Sequence, residues 1–251
     1  MRYACNILSK YDHFLFLNNL EMVLNNLFFT PDFMDLYFEN YKKKPLENIK
    51  FDEKYLFELV DREKFTSITL RSKDSTGKDN WFRITLSLSD EFMQAVGKNY
   101  LFEWSKIENI DFLIKSDLFN KLIDDDRLIY CYCFNQNDVM EQSNKSYNGL
   151  PDKNIVLKKN MVGDLEIDIS KNWGRRERNR SLWFVAAANI WFGKGFETVY
   201  KLDKFKNFSY TKQIGKNIYI ELFDLYDYPN RTIQKEFWDY IIKNKIMANY
   251  K

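Results

Sequence analysis

One short stretch restricts the possible folds more than any other. Residues 182–196, LWFVAAANIWFGKGF, hold two tryptophans, three phenylalanines and three consecutive alanines. Large apolar side chains leave water when a chain folds, each contributing roughly 1.5–3 kcal/mol on full burial. A solvated loop is therefore excluded, and the stretch belongs in the core or against a partner. Residues 182–188 read as an interior strand or a fully buried short helix, since periodicity does not separate the two over so few positions. Gly193 and Gly195 interrupt the pattern, and a turn into a short helix over 196–200 is expected.

The rest of the chain can supply such a core. Of 251 residues, 45% are hydrophobic and 18% aromatic, which excludes disorder. Tyrosine and tryptophan also suit a protein-binding surface, because they bring large contact area at low rotamer cost; filling the core is their simpler use. The 38 basic and 36 acidic residues leave a net charge of +2, too balanced for a dedicated nucleic-acid binder. Three cysteines, Cys5, Cys131 and Cys133, argue against a disulfide framework and for a reducing compartment. The opening MRYACNILSKYDHF has no signal-peptide core, and no apolar run approaches the ~18 residues of a membrane span. The expected location is the cytoplasm, with no membrane partner.

Read in order, residues 1–63 are expected to be mostly helical. Leu17, Leu20, Leu24 and Leu27 recur at helical spacing, Phe33, Leu36, Tyr37 and Tyr41 continue a second face, and residues 52–60 suggest a third helix. Residues 65–70 and 82–88 alternate as the arms of a β-hairpin, followed by a helix over 90–97. Helical spacing returns over 107–123, and residues 128–134, LIYCYCF, read as a central strand. The loop 135–153 is the best boundary, dividing a helical and β-hairpin part, 1–150, from an α+β part, 151–251, unless the two form one continuous domain. Short strands are expected at 154–158 and 165–170, a hairpin at 210–225, and a last helix capped by Asn230 or Thr232. The fold class is thus α+β: a helical N-terminal region, then a mainly antiparallel sheet with helices packed on one face.

Reactive equipment is sparse, and no catalytic residue, metal or cofactor is assigned. Cys131 and Cys133 share a strand face, but a zinc site needs two more soft ligands, and His13 and Cys5 lie far off in sequence; buried inert thiols are the simpler reading. His13 is the chain's one histidine and reads as a surface residue rather than a base. Asp164, Glu166 and Asp168, with Lys171 nearby, place three acids on one strand face, where Mg²⁺ could be held as in a nuclease. The same alternation is what a half-buried strand with Leu165, Ile167 and Ile169 inward requires. Arg175, Arg176, Arg178 and Arg180, with Lys171 and Trp173, form a local basic excess of about +4. They suit a solvated loop, a contact for an acidic protein surface, or a grip on phosphates; the near-neutral total charge places nucleic acid last.

The final third carries Trp183-Phe184-x-Ala186-Ala187, Trp191-Phe192-Gly193, Ile218-x-Ile220-Glu221-Leu222-Phe223 and Gln234-x-x-Phe237. In these it resembles immunity proteins of bacterial polymorphic toxin systems. The resemblance implies a cytosolic, non-enzymatic α+β protein that covers a toxin's active site or locks its shape, and it transfers no individual functional residue. The reading is a protein-binding module, with Trp173, Arg175, Arg176, Arg178 and Arg180 as the candidate contacts. The alternative is a nucleic-acid binder or metal-dependent nuclease using Asp164, Glu166, Asp168 and the arginine run.

Overall fold

The computed structural model describes residues 3–10, 16–18, 20–26, 30–72, 82–87, 98–105, 113–123, 126–143, 157–159, 161–167, 177–179, 182–198, 201–214 and 217–246. Its elements in chain order are β1 (Tyr3–Ser9), α1 (Leu20–Asn26), β2 (Phe33–Phe38), β3 (Leu46–Lys50), α2 (Glu53–Arg62), β4 (Phe65–Arg71), β5 (Phe82–Ser87) and β6 (Lys98–Trp104). They continue with α3 (Asp117–Leu122), β7 (Leu128–Asn135), α4 (Gln136–Ser143), β8 (Leu157–Lys159), β9 (Leu165–Ile167), β10 (Glu177–Asn179), β11 (Leu182–Phe184) and β12 (Asn189–Phe192). Two 3-10 segments, Lys194–Thr198 and Leu202–Asn207, precede β13 (Thr211–Ile214), β14 (Asn217–Glu221) and α5 (Arg231–Lys243).

Ten strands form one sheet in the order β13-β14-β12-β7-β1-β6-β5-β4-β2-β3. Each of its neighbouring pairs is antiparallel. The expected helical N-terminal region is therefore corrected: β1, β2 and β3 all fall within residues 1–63, and the helices there are short. Phe33, Leu36 and Tyr37 do not share a helical face. Met34 and Leu36 alternate inward on β2 because β4 pairs along it, Met34 opposite Leu70 and Leu36 opposite Ile68. Helices also cover both faces of the sheet rather than one. Phe16, Leu20 and Leu24, Leu56 and Val60 of α2, and Phe119 and Leu122 of α3 pack on one side. Phe237, Trp238 and Ile241 of α5 pack on the other.

Other expectations match. β4 and β5 pair as the hairpin the alternation requires. α2 starts where its sequence says, with Asp52 Oδ1 accepting from the Tyr55 amide at 3.0 Å. Asn230 caps α5, its Oδ1 accepting from the Ile233 amide at 3.2 Å. All eight residues of β7 are buried, as a central strand covered on both faces should be. The helix expected over 90–97 lies outside the described residues. Among the described residues no helix is long and apolar enough to cross a membrane.

The 182–196 stretch is neither one strand nor one helix. β11 pairs with β10 in a separate two-stranded sheet, residues 185–188 run irregularly through the core, and β12 enters the main sheet between β7 and β14. Irregular buried backbone must find hydrogen-bond partners. Gln234, fully buried on α5, donates from Nε2 to the Ala186 carbonyl at 2.8 Å, and the Leu222 amide donates to Ala188 at 2.8 Å. Asp138 holds that glutamine in place, its Oδ2 accepting from Nε2 at 3.1 Å while its Oδ1 accepts from Arg231 Nη1 at 2.6 Å. Aromatic rings fill the space around the segment: Phe192 stacks on Tyr130 at 5.5 Å and on Phe205 at 4.8 Å.

Two outcomes follow from this packing. A Cβ on Gly193 would lie 2.0 Å from the Leu128 carbonyl oxygen, whereas one on Gly195 would meet the Ile129 Cγ1 at 2.8 Å. The first is backbone of the central strand and the second a side chain that can turn. Gly193→Ala is expected to cost about 3 kcal/mol or more, and Gly195→Ala clearly less, in denaturant unfolding. The second outcome concerns Tyr219, which stacks on Trp191 at 4.7 Å and donates to Glu221 Oε2 at 3.2 Å. Burial first, then the Glu221 charge, pushes its hydroxyl well above the ordinary 10.0. A raised folded value means that its stabilisation is complete below the unfolded value and is lost as pH rises past it. As pH rises through about 10 to 11, wild type should lose stability faster than Tyr219→Phe, read by urea unfolding across pH.

Candidate functional site

The sheet has a dry half and a polar half on the face that carries α5. Around β7, β12 and β14 this face is covered by the aromatic cluster and α5. Across β2, β4, β5 and β6 the same face carries polar side chains, because these strands alternate: β5 reads FRITLS, with Phe82, Ile84 and Leu86 buried and Arg83, Thr85 and Ser87 half-buried. Register lines them up in rows. Asp35, Thr69, Thr85 and Leu101 lie opposite one another, flanked by Phe33, Arg71, Arg83 and Glu103 on one side and Tyr37, Ser67, Ser87 and Asn99 on the other.

These side chains hold one another. The Thr69 and Thr85 hydroxyls are 3.1 Å apart. Arg83 Nε reaches Glu103 Oε2 at 2.5 Å, and Gln136 Nε2 donates to the other Glu103 oxygen. The Glu103 side chain is only 4% exposed, so these donors replace the water that it gave up. Arg71 Nε donates to Asp35 Oδ2 at 2.9 Å, its guanidinium stacks over the Phe33 ring at 5.1 Å, and Nη2 donates to Asn48 Oδ1. Asn48 has a φ of 58°, a left-handed conformation that asparagine tolerates, and this turns its amide to Asp35 Oδ1 at 2.7 Å. The cluster fastens the edge strand β3 to β2 and β4. Tyr37, 38% exposed at the rim, donates to Glu47 Oε1 at 2.6 Å, which pushes its hydroxyl above the ordinary tyrosine value.

Such a surface holds its shape. Its donors and acceptors are fixed on strands and pre-ordered by cross-strand pairs, so little side-chain freedom remains to be lost on docking. The alternation of FTSITLR and FRITLS signalled the polar face, but assembling it needed the register of β2 and β6 as well.

Of the residues proposed from sequence, those that are described lie on the two small hairpins. Arg178 sits in β10 with Trp183 of β11 as its cross-strand partner. Trp173, Arg175, Arg176 and Arg180 lie outside the described residues. Asp164 is exposed and precedes β9, Glu166 pairs across the hairpin with Lys158, and Asp168 lies outside the described residues. The cysteines hold a surprise. Cys5 lies directly opposite Cys133, and its Sγ is 3.7 Å from that of Cys131, 126 positions further along the chain. All three are fully buried free thiols, and burial pushes Cys5 and Cys131 well above the ordinary value, away from the reactive thiolate. Among the described residues no group of three or more His, Cys, Asp or Glu side chains is placed to hold a metal ion.

No family model, no curated protein and no solved structure matches the chain.

The pairing makes a measurable claim. Arg83 and Glu103 should be strongly coupled: Glu103→Ala is expected to cost about 2–4 kcal/mol, and the Arg83→Ala, Glu103→Ala double variant about 1 kcal/mol or more less than the two single losses together. A double-mutant cycle by urea unfolding reads both.

Proposed function

We propose that the chain is a non-enzymatic, cytoplasmic protein-binding module, an immunity protein that neutralises a cognate toxin by steric occlusion. The observation that carries this reading is the polar half-face of β2, β4, β5 and β6, whose largely buried side chains are held rigid by Asp35–Arg71 and Arg83–Glu103 pairs. A rigid face excludes substrate from a partner's active site by covering it, and it does so without chemistry of its own. The resemblance of the final third to immunity proteins supports the same reading. Trp173, Arg175, Arg176, Arg178 and Arg180 would then steer approach to an acidic partner, adding mostly to the association rate.

The test is protection. Co-expressed with the toxin from a neighbouring gene, the chain should restore growth, and the purified pair should bind. Ser67→Arg and Ser87→Arg place bulk on the half-buried polar face. They are expected to weaken binding about 10- to 100-fold, with a stability change near 0.5 kcal/mol. Equal protection by wild type and both variants would remove the face from the mechanism. Mg²⁺-dependent cleavage of DNA or RNA by the purified chain, lost in Asp168→Ala, would overturn the reading in favour of the carboxylate alternative.

A further inference from the structure

Three sulfurs converge in the middle of the ten-stranded sheet. β1 and β7 are neighbours there, and their register sets Cys5 directly opposite Cys133. The Cys5 Sγ is 3.7 Å from that of Cys131, and Cys133 lies within hydrogen-bonding reach of both. All three are fully buried on the sheet face beneath the short helices.

Register decides which two can join. Residues directly opposite in an antiparallel pair have Cα atoms about 4.5–5.5 Å apart, inside the ~4.4–6.8 Å that a disulfide spans. Cys5 and Cys133 meet that condition. Cys5 and Cys131 stand diagonally, where Cα atoms are about 7–8 Å apart, too far to bridge without moving backbone. Cys131 and Cys133 lie two positions apart on one strand, with parallel side chains about 6.6 Å apart, beyond the ~4.5 Å between bridged Cβ atoms. The three also differ in reactivity. Burial, and then donation to a neighbouring sulfur, raises the Cys5 and Cys131 thiols. Burial acts on Cys133 in the same direction, but the hydrogen bonds it receives from Cys131 and Cys5 outweigh it and bring the thiol below its ordinary value. One nucleophilic sulfur thus lies beside two protonated ones.

We propose that this triad is an oxidation site at which a hydroperoxide joins Cys5 to Cys133 and locks β1 against β7. The Cys133 thiolate attacks one peroxide oxygen and the O–O bond breaks. Cys133 becomes a sulfenic acid, and the departing hydroxide takes up the proton that Cys133 gave up, forming water. The Cys5 sulfur then attacks the Cys133 sulfur. The S–S bond forms, the S–O bond breaks, and the hydroxyl leaves with the Cys5 proton as a second water. Two electrons have passed from two thiols to one peroxide. Hydrogen peroxide is uncharged and scarcely larger than water, so brief local opening of the sheet admits it. In a reducing compartment the resting state is three thiols, and a disulfide there is a transient, redox-sensing state.

The test treats the native full chain with hydrogen peroxide, blocks the remaining thiols and maps peptides by mass spectrometry without reduction. A Cys5–Cys133 peptide pair lighter by two hydrogens, released by dithiothreitol, is expected. It should form about 10-fold or more faster than the chain unfolds globally. Bridging no faster than unfolding, a bridge between another pair, or three thiols left free would overturn the proposal. The pairing is read on wild type, whatever the stability of a variant. Cys5→Ala lacks the second sulfur and should accumulate the Cys133 sulfenic acid, trapped by dimedone; a trap on Cys131 instead would overturn the assignment of the nucleophile. Bridged wild type should unfold at higher urea than the reduced chain, because the bridge closes a loop from position 5 to position 133 in the unfolded state. An equal or lower midpoint would overturn the lock.

Discussion

The structure depends on one strand being wanted on every side. β7 pairs with β1 along one edge and β12 along the other, and all eight of its side chains are buried. One face supplies Cys131 and Cys133 to the cluster beneath the short helices, and the other supplies Tyr130, Tyr132 and Phe134 to the cluster beneath α5. The strand thereby joins segments that are far apart in sequence. β1 comes from the N-terminus and β12 from beyond residue 188, so the register of β7 fixes where both halves of the chain meet. A slip of one residue would turn tyrosines into the thiol face and cysteines into the aromatic face, exchanging side chains of very different volume.

That constraint explains the chemistry of residues 185–188. The chain must pass from the β10–β11 sheet into β12 through the dry side of the core, and it crosses without regular structure. Three alanines keep the backbone close to α5, while Gln234, locked by Asp138 and Arg231, supplies a hydrogen-bond donor there. A buried glutamine that serves one carbonyl is tolerable only because its own groups are satisfied in turn: Gln234 Oε1 accepts from Arg231 Nη1 at 2.6 Å. The work of Gln234 in this fold is structural.

Much of this was legible where a segment's own pattern decides its fate. LIYCYCF is apolar at consecutive positions, as a strand covered on both faces is, and FRITLS alternates as a half-covered one must. Phe33–Phe38 was not legible, because FMDLYF satisfies both periods: Phe33, Leu36 and Tyr37 at helical spacing, Met34 and Leu36 at strand spacing. The pairing with β4 settled it, and pairing is not a local property. Tyr3–Ser9 was hidden for a similar reason, since an asparagine at its centre breaks the apolar run and only two flanking strands make it a core element. The thiol cluster and the polar face share this origin. Cys5 meets Cys131 and Cys133, and Arg83 meets Glu103, through register alone.

The sheet therefore carries two solutions to one problem. Where α5 and the aromatic rings are available, the face carrying them is closed by apolar packing, and its strands read as continuous hydrophobic runs. Across β2, β4, β5 and β6 the same face is closed by side chains bonding to one another. A threonine pair and two arginine–carboxylate pairs lie flat on the strands, and Glu103, nearly inaccessible, is anchored by Arg83 and Gln136. Paired charges of this kind contribute little net stability compared with an apolar replacement of the same shape. Over that half-face they hold one another in an ordered polar array on a rigid support. Stability alone would have favoured a second helix laid over valines and isoleucines, and the chain has built the polar array instead.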